Sequence, residues 1–195
     1  YIQTVADNAL ASGAADVETL MVTESNGESL EHLRQALVSK LGENIQVRRI
    51  TRLSSEGHVG AYVHGGRIGA LIDLEGGDAE VAHDIAMHVA ALNPEYVDVD
   101  DVPAEVLEFL ITQAADSGKP PEIIEKMVSG RMRKHLSGIT LLGQDFVKDG
   151  DLTVAQLLKN HNASVKGMTR LAVGEGIEKK TENFADEVMQ QVKGG

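Results

Sequence analysis

Apolar residues recur at helical spacing through Leu30, Leu33, Leu37, Val38 and Leu41. This stretch therefore presents one face to a core and predicts an amphipathic helix over Leu30 to Leu41. Gly42 supplies the stop, because glycine readily takes the left-handed conformation that closes a helix. Ile2 to Leu10 carries the same pattern. The period then changes. Ile45 to Leu53 is rich in β-branched residues and nearly alternates, which predicts a strand, with a phase slip at Arg48 and Arg49 that a bulge would absorb. Two short strands, His58 to Val63 and Arg67 to Leu74, flank Gly65-Gly66. Two adjacent glycines can both adopt the positive φ of a type I′ turn, so a hairpin is predicted. After Gly76-Gly77, the residues Val81, Ile85, His88, Val89 and Leu92 fall on one face of another helix, with Asp78 as its N-cap and Asn93-Pro94 as its end.

From Asp100 the pattern becomes two helices, roughly Pro103 to Asp116 and Pro121 to Leu136, joined by Ser117-Gly118-Lys119-Pro120. Each begins with Pro near its first position, where the missing N–H costs nothing, and an antiparallel helical hairpin is predicted. The second helix carries Lys126, Arg131, Arg133 and Lys134, read as a solvated basic face.

An internal repeat organises the remainder. Asn44 to Leu53 aligns without a gap on Asn162 to Leu171, sharing Asn, Val, Thr, Arg and Leu at identical spacing. The following helices agree in phase, with Val81, Ala82, Ile85 and Val89 matching Phe184, Ala185, Val188 and Val192. The expected architecture is α+β, with two pseudo-repeated helix/antiparallel-sheet subdomains at 1–99 and 139–195 and a helical hairpin inserted at 100–138. Duplication builds extended binding faces but names no function.

Composition narrows the function classes. Thirty acidic residues against 18 basic ones give a net charge of −12, which repels a nucleic-acid backbone or an anionic membrane surface. No apolar run is long enough to span a bilayer, no signal-peptide pattern is present, and there is no Cys, so the cytoplasm is the expected compartment. The absence of an initiating Met points to a fragment. With no Trp and only three Phe and three Tyr, the core must be aliphatic.

No chemistry-bearing motif emerges. Neither GxxxxGK[ST] nor GxGxxG occurs, and in Gly174-Glu175-Gly176 and Gly76-Gly77-Asp78 a carboxylate would face the phosphate, so both are read as turns. His83 and His88 lie about 140° apart around one helix and cannot chelate a single ion as an i, i+4 pair does. His88 falls on the apolar stripe, as a packed core histidine would. No cofactor, metal or catalytic group is expected. What remains is the hairpin tip Tyr62 to Ile68, where an aromatic, an imidazole, two glycines and an Arg come together. Tyr and Arg are enriched among interface anchors, which favours a protein-binding role over that of a plain turn.

Five ordered stretches then carry a resemblance. They are Lys40-Leu41-Gly42-Glu43-Asn44-Ile45, His64-Gly65-Gly66-Arg67-Ile68-Gly69, Asp84-Ile85-Ala86-Met87-His88-Val89-Ala90-Ala91, Glu125-Lys126-Met127-Val128-Ser129-Gly130-Arg131 and Val173-Gly174-Glu175-Gly176-Ile177-Glu178-Lys179. Together they resemble the bacterial elongation factor Ts family over essentially the whole chain. The resemblance implies a non-enzymatic guanine nucleotide exchange factor that binds the GTPase elongation factor Tu, built on two related α+β subdomains and a coiled-coil insertion. Carried over by position, it implies contacts to the GTPase's third domain at His64 and Leu41 and to its nucleotide-binding domain around Phe184 to Val192. The partner-binding set expected from tip and family together is Leu41, Tyr62, His64, Gly65, Arg67, Phe184 and Val188.

Three departures from the family qualify this. The family has an N-terminal helical docking module and then a Thr-Asp-Phe-Val wedge, and the chain is expected to begin just after both. Thr181-Glu182-Asn183-Phe184-Ala185 superficially resembles the wedge but belongs to the second repeat copy. The segment Ala104 to Pro121 is also shorter than in the family by about one helical turn. The competing reading is a non-catalytic structural module in a larger assembly containing elongation factor Tu.

Overall fold

The structure, a computed structural model, describes residues 1–115 and 121–177. It is an α+β fold. An N-terminal helical layer comprises α1 (Ile2–Ser12), α2 (Val17–Met21) and α3 (Leu30–Leu41), with β1 (Glu24–Ser25) and β2 (Glu28–Ser29) between α2 and α3. Asp16 caps α2 by accepting the Thr19 N–H at 2.7 Å, and Ser29 caps α3 by accepting the His32 N–H at 3.2 Å. Gly42 ends α3 at φ 72°, its N–H returned to Val38 O, as predicted. Val5, Ala14, Leu20, Met21 and Leu30 form a small core here, and Val47 and Ile50 pack against it.

The main sheet has strand order β3-β4-β7, all antiparallel, from β3 (His58–His64), β4 (Ile68–Glu75) and β7 (Ser164–Ala172). Helix α4 (Ala79–Leu92) lies across it. Asp78 caps α4 through the Val81 N–H at 2.9 Å, and Asn93 closes it at φ 50°, both as read from the sequence. The stripe Val81, Ala82, Ile85, Ala86, Val89 and Ala90 is buried against Ala70, Ile72 and Leu74 of β4, and Leu141, Phe146, Val154 and Leu158 complete this mainly aliphatic core. β3 comes closest to the helix at Gly60. A methyl group there would sit 1.9 Å from Ala82 O, so only a residue without Cβ permits the approach.

Beyond α4 the chain passes a 3₁₀ turn at Val99–Asp101 into α5 (Ala104–Ala115) and α6 (Pro121–Ile139), which touch one another. The linker that joins them, with Asp116, lies outside the described residues. The ends of this excursion meet: Leu141 N donates to Tyr96 O at 2.8 Å and Leu142 N to Val97 O at 3.0 Å. A small hairpin of β5 (Asp145–Phe146) and β6 (Asp149–Thr153) then leads into α7 (Val154–Asn160), capped reciprocally by Thr153 and Gln156.

One expectation is corrected. Residues 45–53 carry no ladder; the described chain between α3 and β3 contains no strand. The cause lies in the side chains around the phase slip. Val47 and Ile50, three apart, both pack on the helical core, while the adjacent Arg48 and Arg49 both reach the turn after β7. Successive residues of a strand point to opposite faces, so neither pairing suits extended alternation. The matching segment, 163–171, lies in strand β7 but for its first residue. It pairs with β4, so a single sheet draws from both halves of the chain.

His88 is fully buried in this core. Its Nδ1 accepts the Val147 N–H at 3.2 Å, so Nε2 carries the proton and donates to Gln144 Oε1 at 2.9 Å. Gln144 Nε2 in turn donates to Gly138 O at 2.6 Å, and Phe146 stacks on the imidazole. Burial pushes the His88 pKa below the ordinary histidine value, partly offset by the Gln144 bond. A second proton at Nδ1 would face the Val147 N–H.

Two outcomes follow from this packing. Gly60→Ala should lower unfolding free energy by about 2–3 kcal/mol in urea titrations, since α4 must move off β3 to admit the methyl group. For His88 the unfolded chain protonates first as pH falls through about 6.5, so its contribution is intact above that value and lost below it, by at most about 1.4 kcal/mol per pH unit. His88→Gln should remove that share of the acid sensitivity when unfolding is compared between pH 8 and pH 5.

Candidate protein-interaction site at the hairpin tip

The β3–β4 connection is built as its glycines require. Gly65 and Gly66 take φ 55° and 66°, and Arg67 N donates to His64 O at 3.0 Å, which closes the type I′ turn. A Cβ at either glycine would meet open space, so it is backbone conformation alone that selects glycine there. Pairing runs from His58↔Leu74 to His64↔Ile68, one residue off the boundaries predicted on both sides of the turn.

Register sorts the tip residues by face. Gly60, Tyr62 and His64 pair with Ile72, Ala70 and Ile68 on the α4 side, whereas Val59, Ala61 and Val63 pair with Asp73, Leu71 and Gly69 on the opposite face. On the helix side Tyr62 stands between two histidines. Its hydroxyl lies 3.3 Å from His64 Nδ1, and the His83 ring meets it edge-on at 5.6 Å between centroids. His83 Nδ1 donates to Ala61 O at 2.9 Å, tying α4 to the outer strand. The Tyr62 ring is thus held half-buried while His64 and Arg67 stay exposed at the end of the hairpin.

On the opposite face Val63 is 68% exposed, and Val173, just past β7, is 73% exposed. Val173 N donates to Arg67 O at 2.8 Å, so the chain leaving β7 runs beside the hairpin tip. Neither valine belongs to the set expected from the sequence. Period-two alternation through Val59, Ala61 and Val63 was the available signal, but without knowing which face α4 covers it does not say which side is exposed.

Of that set, the hairpin brings Tyr62, His64, Gly65 and Arg67 together. Leu41 stands elsewhere, 54% exposed on the last turn of α3. Phe184 and Val188 lie outside the described residues. The site offers rings, a guanidinium and apolar surface, a composition suited to gripping a protein. Among the described residues no group of three or more His, Asp or Glu could hold a metal ion, and no helix is long and apolar enough to cross a membrane. A cleft of 540 Å³ between the 3₁₀ turn, α6 and α7 is apolar, lined by Val99, Met132, Leu136 and Leu142 with Asp98 and Arg133.

Comparison with known proteins points the same way. The family model for elongation factor Ts matches residues 1–175. Elongation factor Ts of Halorhodospira halophila is 52% identical over 197 residues, covering 99% of this chain and 68% of that protein. The elongation factors Ts of Thioalkalivibrio sulfidiphilus and Alkalilimnicola ehrlichii are each 54% identical over the whole chain, again across 68% of their own length. A family match from Tyr1 through the turn after β7, with more than half of all positions shared with such relatives, places this chain in the elongation factor Ts family.

Proposed function

We propose that the chain binds elongation factor Tu through the β3–β4 hairpin and promotes GDP release by binding alone. As a member of the elongation factor Ts family it is a translation elongation factor whose activity is guanine-nucleotide exchange. Exchange needs no bond-making group. A partner that prefers the nucleotide-free GTPase lowers its affinity for GDP by the same factor by which GDP lowers the affinity for the partner.

The observation that carries this reading is the tip itself: His64 and Arg67 exposed, with His64 backed by a Tyr62 ring that α4 and His83 hold in place. A side chain ordered before contact loses less conformational freedom on binding, so more of the contact energy appears as affinity. Leu41 and, further along the chain, Phe184 and Val188 are assigned as additional contacts by their family positions. The site of action is the cytoplasm, without direct nucleic-acid contact, in keeping with the net charge of −12.

The same reading takes 1–99 and 139–195 as related units and 100–138 as an inserted antiparallel hairpin. A short hairpin followed by a side-chain-capped helix occurs in each unit, β1-β2-α3 and β5-β6-α7, and supports the relation.

His64→Ala should weaken binding to elongation factor Tu by about 5- to 30-fold, corresponding to about 1–2 kcal/mol, while leaving the circular dichroism spectrum and urea midpoint unchanged. Fluorescent-GDP release at sub-saturating chain should slow in proportion. Unaltered affinity and release would refute the role of the hairpin.

A further inference from the structure

One carboxylate gathers partners from distant parts of the chain. Glu175 Oε2 accepts a hydrogen bond from Arg49 Nη2 at 3.0 Å, and Arg170 Nη1 lies 3.4 Å from Oε1. Arg49 also donates to Ala172 O at 3.2 Å, and Arg48 Nη2 donates to the backbone oxygen of Glu175 at 2.6 Å. Arg170 continues the chain of contacts by donating from Nε to Ala90 O, in the last turn of α4, at 3.2 Å. The segment after α3, the end of α4 and the end of β7 therefore converge on one turn. Gly174 and Gly176, at φ 80° and 72°, shape that turn so that the Glu175 side chain faces back to the arginines.

On its other side the turn meets the tip through the Val173 N–H bond to Arg67 O. Arg67 is separated from His64 only by the two glycines. A displacement of the turn would reach the His64 loop through this bond, which continues the β4–β7 ladder past Ile68↔Ala172.

Stability is a poor explanation for so many contacts. The Arg49–Glu175 pair is 40% exposed on both sides, and exposed ion pairs add little to folding. Geometry is a better one. The guanidiniums of Arg49 and Arg170 repel each other unless an anion sits between them. The Arg49 hydrogen bond holds the Glu175 carboxyl below the usual carboxylate range, which keeps it charged. Contacts from three guanidiniums fix a position even where each is weak.

We infer that Glu175 is a positioning residue of the exchange interface: seated between Arg49 and Arg170, it holds the 173–176 turn against Arg67 and so fixes how the His64 loop is presented to the GTPase. This rests on the exchange reading above, and the test separates the two.

Glu175→Gln keeps the side chain's shape and removes its charge. In the free chain, hydrogen exchange at the Val173 and Glu175 amides, which donate to Arg67 O and Ala172 O, should accelerate about tenfold while the urea midpoint holds. Fluorescent-GDP release from elongation factor Tu should slow about fivefold, and the effect should be less than additive with His64→Ala because both act through one loop. Unchanged amide protection, an unchanged release rate, or strict additivity would each overturn the positioning role. If Glu175→Gln does not fold, Arg49→Gln, which removes the cation that donates to Glu175, is read by the same measurements. Failure of the unaltered chain to release GDP would remove the exchange reading and with it the interface role, while amide protection would still decide whether the carboxylate holds the turn.

Discussion

The contact on which the rest of this structure depends is the one between α4 and the β3–β4 pair. An aliphatic chain without Trp can bury enough surface only by bringing its elements close, and Gly60 lets the backbone of β3 approach Ala82 more nearly than any side chain would allow. Once α4 is seated, its polar residues act as fixed posts. His83 takes the Ala61 carbonyl, Asp84 pairs with Lys148 at 2.9 Å, His88 orders Gln144 and Val147, and the Ala90 carbonyl receives Arg170. Elements from both halves of the chain are thereby referenced to one helix.

This arrangement explains how a strongly acidic protein presents a specific surface. The hairpin tip is an exposed loop, where a His and an Arg would ordinarily sample many conformations. It is stiffened from the helix side by Tyr62 against His83 and from the strand side by the Val173–Arg67 bond. For a surface that binds a partner, such preparation favours affinity, because order established during folding need not be established on contact.

The charged residues divide into two kinds by what they touch. Glu31 binds Arg34 and Gln35 within α3, and its pKa falls to about 2, but these are neighbours along one helix and the group is solvent-facing. Arg48 and Arg49 instead reach across the chain to a single turn, where Arg170, five residues before Glu175, meets them. Local pairs adjust the charge of an element, whereas long-range ones decide where an element lies.

Much of the fold was legible in the sequence because short-range physics suffices for it: the stripe and glycine stop of α3, the paired glycines of the hairpin, and α4 between an Asp cap and an Asn-Pro end. The family motifs likewise lie in local runs such as 64–69 and 84–91. The Asn26-Gly27 turn joining β1 to β2 carried the same local signal, and Asn26 does adopt φ 55°, yet two-residue strands leave too little alternation to read. Tertiary structure alone decided the rest. Residues 45–53 have the composition of a strand but are drawn into a helical core and an arginine cluster, while their sequence counterpart, 163–171, found β4 as a partner. Which face of β3 is left to solvent depends on where α4 settles, and what the Gly174-Glu175-Gly176 turn touches depends on arginines more than 120 residues away. Local preference acts between neighbours in the chain; strand pairing and ion placement act between neighbours in space, and only folding establishes those.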